Sequence, residues 1–430
     1  MISGSDIQPL IEERLGRPML DELEAAVVLE AFAGLDADTS LELGREAAGF
    51  RSRVRPEHAP VPKPSVIEWR SAVSDIAFII GVLVLGFWLS RRTEAFGVDV
   101  VDRSWRLALP VSLGAQWFLR RRVLVGPDGL GRLRREAWLL WPAVVLLGGL
   151  SLVPRGGLIA AVLATVWIGG FLASRRGWGV AHCGAVVATI CLSPLLANWL
   201  VLVALVVMTF LMSGVALVSS RPSDRMVGSF GRSLPSGLIG VCLAFFLVVE
   251  PEISWGASTL LASTTIIPAL LGAVVGGLWM TRIWTVVPRS LSKTPASSSR
   301  IPAAPLGVFV QAIGATLATV VVSSAIVMFA VQRHESADLR GTAQKLLVAH
   351  AALALAGLCV SVLEAFGRWA IALIAAATGA VASGLLGTIS SGPVSPGARI
   401  LVGAIVALAL SMPWLLATLC RPAHRIAASL

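Results

Sequence analysis

Twelve apolar stretches, joined by short polar segments, account for most of the chain from residue 72 onward: 72–90, 104–119, 137–153, 157–173, 178–197, 199–219, 234–250, 256–280, 303–331, 346–363, 369–389 and 399–419. A hydrocarbon core about 30 Å thick is crossed by about 20 helical residues. A soluble globule made of such stretches could not cover itself with polar surface. Of 430 residues 56% are apolar and 14% charged, where an ordinary soluble domain has about 25% charged. That balance excludes a soluble enzyme, a disordered chain and a small disulfide-stapled domain. The fold class expected is all-α: a polytopic α-helical integral membrane protein of about twelve transmembrane helices with a small N-terminal cytoplasmic helical segment.

Charge divides the chain further. Residues 1–50 hold 11 Asp/Glu and three Arg, whereas residues 51–70 hold five Lys/Arg and two Glu. The organisation predicted is an acidic helical segment (1–50), a Pro-rich basic linker (51–71) and a transmembrane domain (72–430). Within the acidic segment Asp6 suits a cap for a helix ending at Gly16. Pro18 suits the first turn of a second helix ending at Gly34, and Asp36 or Asp38 suits the start of a third reaching Gly44. Some 45 residues bury little apolar area alone, so the segment is expected to dock, either on the protein's own loops or on a cytoplasmic protein partner. The chain opens on the polar ISGSDIQPLIEERLG, without signal-peptide regions, which makes the first apolar stretch the expected insertion signal.

The net charge of +10 reads as topology. With the N-terminus inside, 23 Lys/Arg from residue 51 onward fall on the cytoplasmic side, among them Arg120, Arg121, Arg122, Arg132, Arg134 and Arg135, and eight fall outside. This bias predicts N-in, C-in with an even number of spans, in a cell (cytoplasmic) membrane. No basic stretch is interleaved with stacking aromatics, so no nucleic-acid partner is expected. The partners expected are the lipid bilayer and, through residues 1–50, a cytoplasmic protein or membrane complex.

Ionisable groups inside spans are costly and mark function or pairing. Asp75, Arg106, His182, Glu250, His350 and Glu364 all fall near span ends, which disfavours an ion-coupled pump with a carboxylate at midplane. Asp75 also reads as an interfacial cap, and His182 and His350 as packed core positions. Prolines recur in the spans, at Pro110, Pro142, Pro194, Pro268 and Pro413. If the twelve spans are two sets of six, Pro110 and Pro268 fall in matching spans, and matching interruptions point to a cavity. Pro110, Gln116, Pro268 and Gln311 are therefore the candidate cavity lining, with Asp75 and Arg106 at its mouths. Gly272 and Gly276 form a GxxxG face, continued in kind by Gly314, Ala318, Gly379 and Ser383, suited to helix packing within the chain. Trp88, Trp105, Trp138, Trp178, Trp255 and Trp414 sit near span ends, as interfacial anchors do. The five Cys lie in or beside apolar spans without metal-ligand spacing, and no phosphate-binding glycine loop follows a strand. No cofactor, metal or catalytic group is predicted.

The loop VGPDGLGRLRRE, with Gly126, Asp128, Gly131, Arg132, Arg134 and Arg135, loosely resembles the Gly/Asp/Arg loop between helices two and three of major facilitator transporters. No partner loop follows the eighth span. The twelve-span, N-in/C-in plan is also similar to that of polysaccharide and lipid-oligosaccharide flippases. The function expected is a bacterial transporter or flippase-like exporter of a lipid-linked sugar, polysaccharide or other amphiphile. The alternative is a non-transporting subunit of an envelope assembly or secretion complex that recruits a partner through residues 1–50.

Overall fold

The computed structural model describes residues 7–9, 11–12, 22–29, 37–48, 67–122, 133–134, 140–220, 230–250, 264–281, 304–334, 337–389 and 394–420. Among these there is no strand. Twelve helices correspond one for one to the twelve apolar stretches: α1 Ile67–Ser90, α2 Val98–Arg122, α3 Leu140–Ser151, α4 Gly157–Arg175, α5 Gly179–Cys191, α6 Asn198–Val218, α7 Phe230–Val248, α8 Ile267–Thr281, α9 Ala304–His334, α10 Ala337–Ala365, α11 Trp369–Ile389 and α12 Ala398–Cys420. Seven are long and apolar enough to cross a membrane, and three shorter apolar helices accompany them. The chain is a polytopic helical membrane protein.

Packing repeats with an offset of six. In the first half α4 is the hub, touching α1, α2, α3, α5 and α6, while α5 also packs on α1 and α6. In the second half α10 touches α8, α9, α11 and α12, and α11 packs on α7 and α12. Adding six to each helix number of the first set gives the second, except that among the described residues α1–α4 has no comparable counterpart in the second half, nor α8–α9 in the first. The hubs are the most enclosed spans: every residue from Ile159 to Ser174 is buried. Between the halves the corresponding pairs are α2 with α7 and α8 with α1. Where a hub forgoes lipid, peripheral helices meet it. α6 leaves Leu200, Val203, Val207, Phe210 and Leu211 exposed, a stripe that only hydrocarbon can cover without cost.

Close backbone approach explains the small residues. On α7, Phe246 is fully buried and wedges between α11 and α12, where a Cβ on Gly403 would lie 2.4 Å and one on Gly379 2.9 Å from its ring. Gly272 and Gly276 face Thr316, with Val320 beside the first and Leu358 beside the second, so this pair packs α8 on α9 and α10 within the chain. Gly314 faces open space and Ala318 is exposed, so the small-residue pattern splits into two environments.

Several local details differ from the sequence reading. Pro194 does not kink a span. It sits in a 3-10 turn, Ser193–Leu195, that ends the fifth. Pro110 lies inside the continuous α2, whereas Pro268 is in the first turn of α8, just after a turn at Ile266. A first-turn proline gives up no helical hydrogen bond, so these two prolines are not equivalent interruptions. Trp88 and Trp105 are buried. Trp88 Nε1 donates to Ser193 Oγ at 3.1 Å, and Trp105 stacks edge-on against Trp167, centroids 5.5 Å apart.

In the N-terminal segment, helices Glu22–Val28 and Ala37–Ala48 pack together. Their core is Ile7, Ile11, Ala25, Val28, Leu29 and Ala47. The third helix runs through Gly44 rather than ending there. Residues 51–66 lie outside the described residues.

Gly403→Ala should cost about 1–3 kcal/mol through overpacking against Phe246. Gly314→Ala, with nothing to meet, should leave stability unchanged or slightly raised. Thermal unfolding of the two variants in one detergent checks this; equal effects would contradict the packing described.

Candidate functional site: the seam between the halves

α2 carries Arg106, Gln116, Arg120 and Arg121 within a stretch that has no exposed residue from Ser104 to Arg121. It is the long span least able to face lipid, and the fold shelters it between α4 of its own half and α7 of the other. Glycines bring α2 and α7 together. A Cβ on Gly114 would lie 2.8 Å from Val241, and one on Gly240 2.6 Å from the Leu113 carbonyl. The two helices run antiparallel, and polar contacts close the seam at each end, roughly 20 Å apart at 1.5 Å per residue.

At one end Arg106 bridges Asp102 Oδ2, at 2.8 Å, and the carbonyl of Val248 at the C-terminus of α7. Arg399, at the start of α12, donates from Nη1 to the next carbonyl, Val249 O, at 2.8 Å. The last carbonyls of a helix have no intrahelical partner and carry the negative end of its dipole. Two guanidiniums from different halves therefore hold the C-terminus of α7.

At the other end Glu364 of α10 is buried. Its Oε1 accepts from Ser236 Oγ, near the start of α7, at 2.8 Å, and lies 3.6 Å from Arg121 Nε. Arg120 Nη1 donates to Ser361 Oγ, one turn earlier on α10, at 3.2 Å. A first-half helix is thus latched to two second-half helices through one carboxylate. We refer to the two ends of the bundle by Arg106 and Arg121.

The predicted residues distribute unevenly over this frame. Arg106 is in the seam, and Pro110 lies one turn further along α2, half-buried; Gln116 is half-buried on the same helix. Asp75 is half-buried on α1, roughly opposite the exposed stripe of Val73, Ile80 and Phe87 at 100° per residue. Pro268 is buried beside a polar contact, His350 Nδ1 to the Thr265 carbonyl at 3.0 Å. Gln311 is exposed on α9, a helix that packs on α8 and α10. The six are therefore not gathered at one place. Arg134 holds the Val218 and Ser220 carbonyls at 2.9 and 3.2 Å, closing the C-terminus of α6. Arg132 and Arg135 lie outside the described residues, and Arg122 is on the last turn of α2. Sequence reasoning left out Ser236, Ser361, Asp102 and Arg399. Arg399 and Glu364 carry the one available signal, a charge inside the edge of an apolar run.

No protein-family model and no curated protein sequence matches the chain. Solved structures do. One is the outward-facing conformation of a multidrug resistance MATE-family transporter of the MOP superfamily, with a TM-score of 0.53 and 14% identity over 82% of this chain and 95% of that one. The fold is similar to that of a MATE-family transporter. A second, described as MATE in complex with Br-NRF, aligns with a TM-score of 0.46 and 14% identity over 82% of this chain and 96% of that one. The loop after α2, on which the resemblance to major facilitator transporters rests, lies mostly outside the described residues.

Ser236→Ala removes a hydrogen bond to a buried charged group and should cost about 1.5–3 kcal/mol. In a Glu364→Gln background the same change should cost clearly less, because the charge is gone. A double-mutant cycle on thermal stability measures the coupling, and additive effects would show that the latch is not one unit.

Proposed function

We propose that the protein is a transporter of the flippase or exporter kind. Its two six-helix halves rock about the α2–α7 seam and expose a cavity alternately to the two faces of a bacterial cell membrane. The observation that carries this reading is the seam itself. A charged helix is enclosed by the second half, latched at both ends by side chains and carbonyls of the other half, in a fold similar to that of a MATE-family transporter. The corresponding α1–α8 contact is thinner, which suits an edge that opens. The Lys/Arg bias puts both termini and the Arg121 end in the cytoplasm.

Two halves that pivot need contacts that differ between the two states. The Arg121–Glu364–Ser236 latch supplies such a contact at the cytoplasmic end. With charges kept at span ends, a lipid-linked sugar, polysaccharide precursor or other amphiphile suits the cavity better than a small ion. Pro110, Gln116, Pro268 and Gln311 are proposed to line the path, with Asp75 and Arg106 at its mouths.

The N-terminal helices favour a second reading. They form a core of their own, distinct from the cores of the spans, and that acidic unit could recruit a cytoplasmic partner for a non-transporting membrane subunit. Deleting residues 1–60 separates the readings. Loss of complex formation with normal insertion favours the subunit; retained translocation favours the carrier.

In proteoliposomes, translocation of a fluorescent lipid-linked sugar should fall about tenfold or more in Arg106→Ala and several-fold in Gln116→Ala and Gln311→Ala. If all three kept wild-type rates, the path assigned here would be wrong.

A further inference from the structure

The apolar run from 346 to 363 puts His350 near the end of a span, but α10 begins at Ala337, and His350 stands close to the midpoint of its 29 residues. It is fully buried. Its Nδ1 lies 3.0 Å from the carbonyl of Thr265, just before α8. A carbonyl can only accept, so Nδ1 carries the hydrogen and the neutral ring presents a bare lone pair at Nε2. That nitrogen is enclosed and has no hydrogen-bond partner. An ionisable group so deep in a span is costly and points to function.

The residues flanking this contact, Ile266 and Ala349, belong to one buried apolar cluster that crosses between the halves. It joins Leu85 of α1 and Trp105 of α2 to Leu247 of α7 and Ile400 of α12, toward the Arg106 end. At the Arg121 end the buried apolar residues form separate clusters, one with Leu172 of the first half and one with Leu363 and Leu415 of the second. The halves are thus sealed by apolar packing on one side of the midplane and by the polar latch on the other. Around His350 the ionisable groups are Arg333 and His334 at the end of α9, Arg399 at the start of α12, and Arg232, Cys242 and Glu250 on or just past α7, whose Phe246 packs on Ala356 of α10. On α10 itself they are Asp338, Arg340, Lys345, Cys359 and Glu364; α8 and α11 have none. None of them hydrogen-bonds to the ring. A proton on Nε2 therefore puts an uncompensated charge inside apolar packing.

We propose that His350 is a pH-sensitive element of the apolar seal at the Arg106 end. Neutral, it packs with the seal and ties α10 to the root of α8. When Nε2 takes a proton from the medium, the ring can no longer stay enclosed, and the seal gives way along the thin α1–α8 edge. The sign follows from which form the closed packing admits. Stabilisation of the closed end is present while the ring is neutral and is lost as pH falls through the ordinary histidine range, about 6.5. The inference rests on the transport reading and adds to it a regulated outer end.

The test uses the full chain, without its native cysteines, in phosphatidylcholine nanodiscs. Spin labels at Val98 and Gln344, both exposed, report the distance between α2 and α10 toward the Arg106 end by electron–electron resonance. Between pH 8 and pH 5 the ratio of the long-distance to the short-distance population should rise about tenfold. His350→Gln and the volume-conserving His350→Phe, both permanently neutral, should abolish the rise; two variants guard against one that fails to fold, which thermal unfolding detects. His182→Gln, which removes the other fully buried histidine, should keep the rise. A flat response in the unsubstituted chain, a response that survives in both His350 variants, or one lost equally in His182→Gln would overturn the proposal. So would equal broadening, on acidification, of a pair at Val180 and Val218 within the first half, because that is general loosening. A His350-dependent opening in a protein that moves no lipid-linked sugar at any pH would instead sink the transport reading and leave the switch standing.

Discussion

Charge inside a bilayer must be sheltered, and in this protein the shelter is the seam where α2 lies against the second half. Hydrocarbon offers no partner to a guanidinium or to a free helix carbonyl. Arg106 and Arg399 solve both problems at once by donating to the end of α7. At the far end Glu364 receives Ser236 and faces Arg121. Remove these contacts and α2, with its several charged residues, would have no stable place in the membrane. The rest of the architecture, two hubs wrapped by lipid-facing helices, can be apolar because the seam is not.

The six-by-six packing gives that seam its mechanical meaning. The two inter-half contacts correspond under the offset of six, yet one is a tight glycine-lined interface and the other is thin. The arrangement is thus symmetric in topology but unequal in contact, with one close inter-half interface and one thin one. The proposal of two rocking halves draws on this inequality, since packed interfaces tend to hold discrete arrangements rather than a continuum.

Much of this was legible in the sequence, for physical reasons that can be named. Bilayer thickness sets a length of apolar run that nothing else in the chain imitates, so the positions of all twelve of these helices were readable. Arg106, near the start of the second stretch, marks a helix that the structure encloses: no residue from Ser104 to Arg121 is exposed. Partners across the seam were not readable. Glu364 and Ser236 are separated by 128 residues, and no periodicity links them. Trp88 and Trp105 carry the composition of interfacial anchors but lie inside, because Ser193 and Trp167 happen to meet them. Gln311 has the polarity of a lining residue, and its exposure on α9 comes from packing that the sequence pattern does not display.

The central claim is that the halves are separate bodies held at one end by the Glu364 latch. Spin labels at Val180 and Trp369, in a chain freed of its five cysteines, report the distance across the seam by electron–electron resonance in nanodiscs. A second pair at Val180 and Val218 reports within the first half. Glu364→Gln should lengthen and broaden the cross-seam distribution and leave the second pair unchanged. An unchanged cross-seam distance, or equal broadening of both pairs, would contradict two bodies joined by a latch.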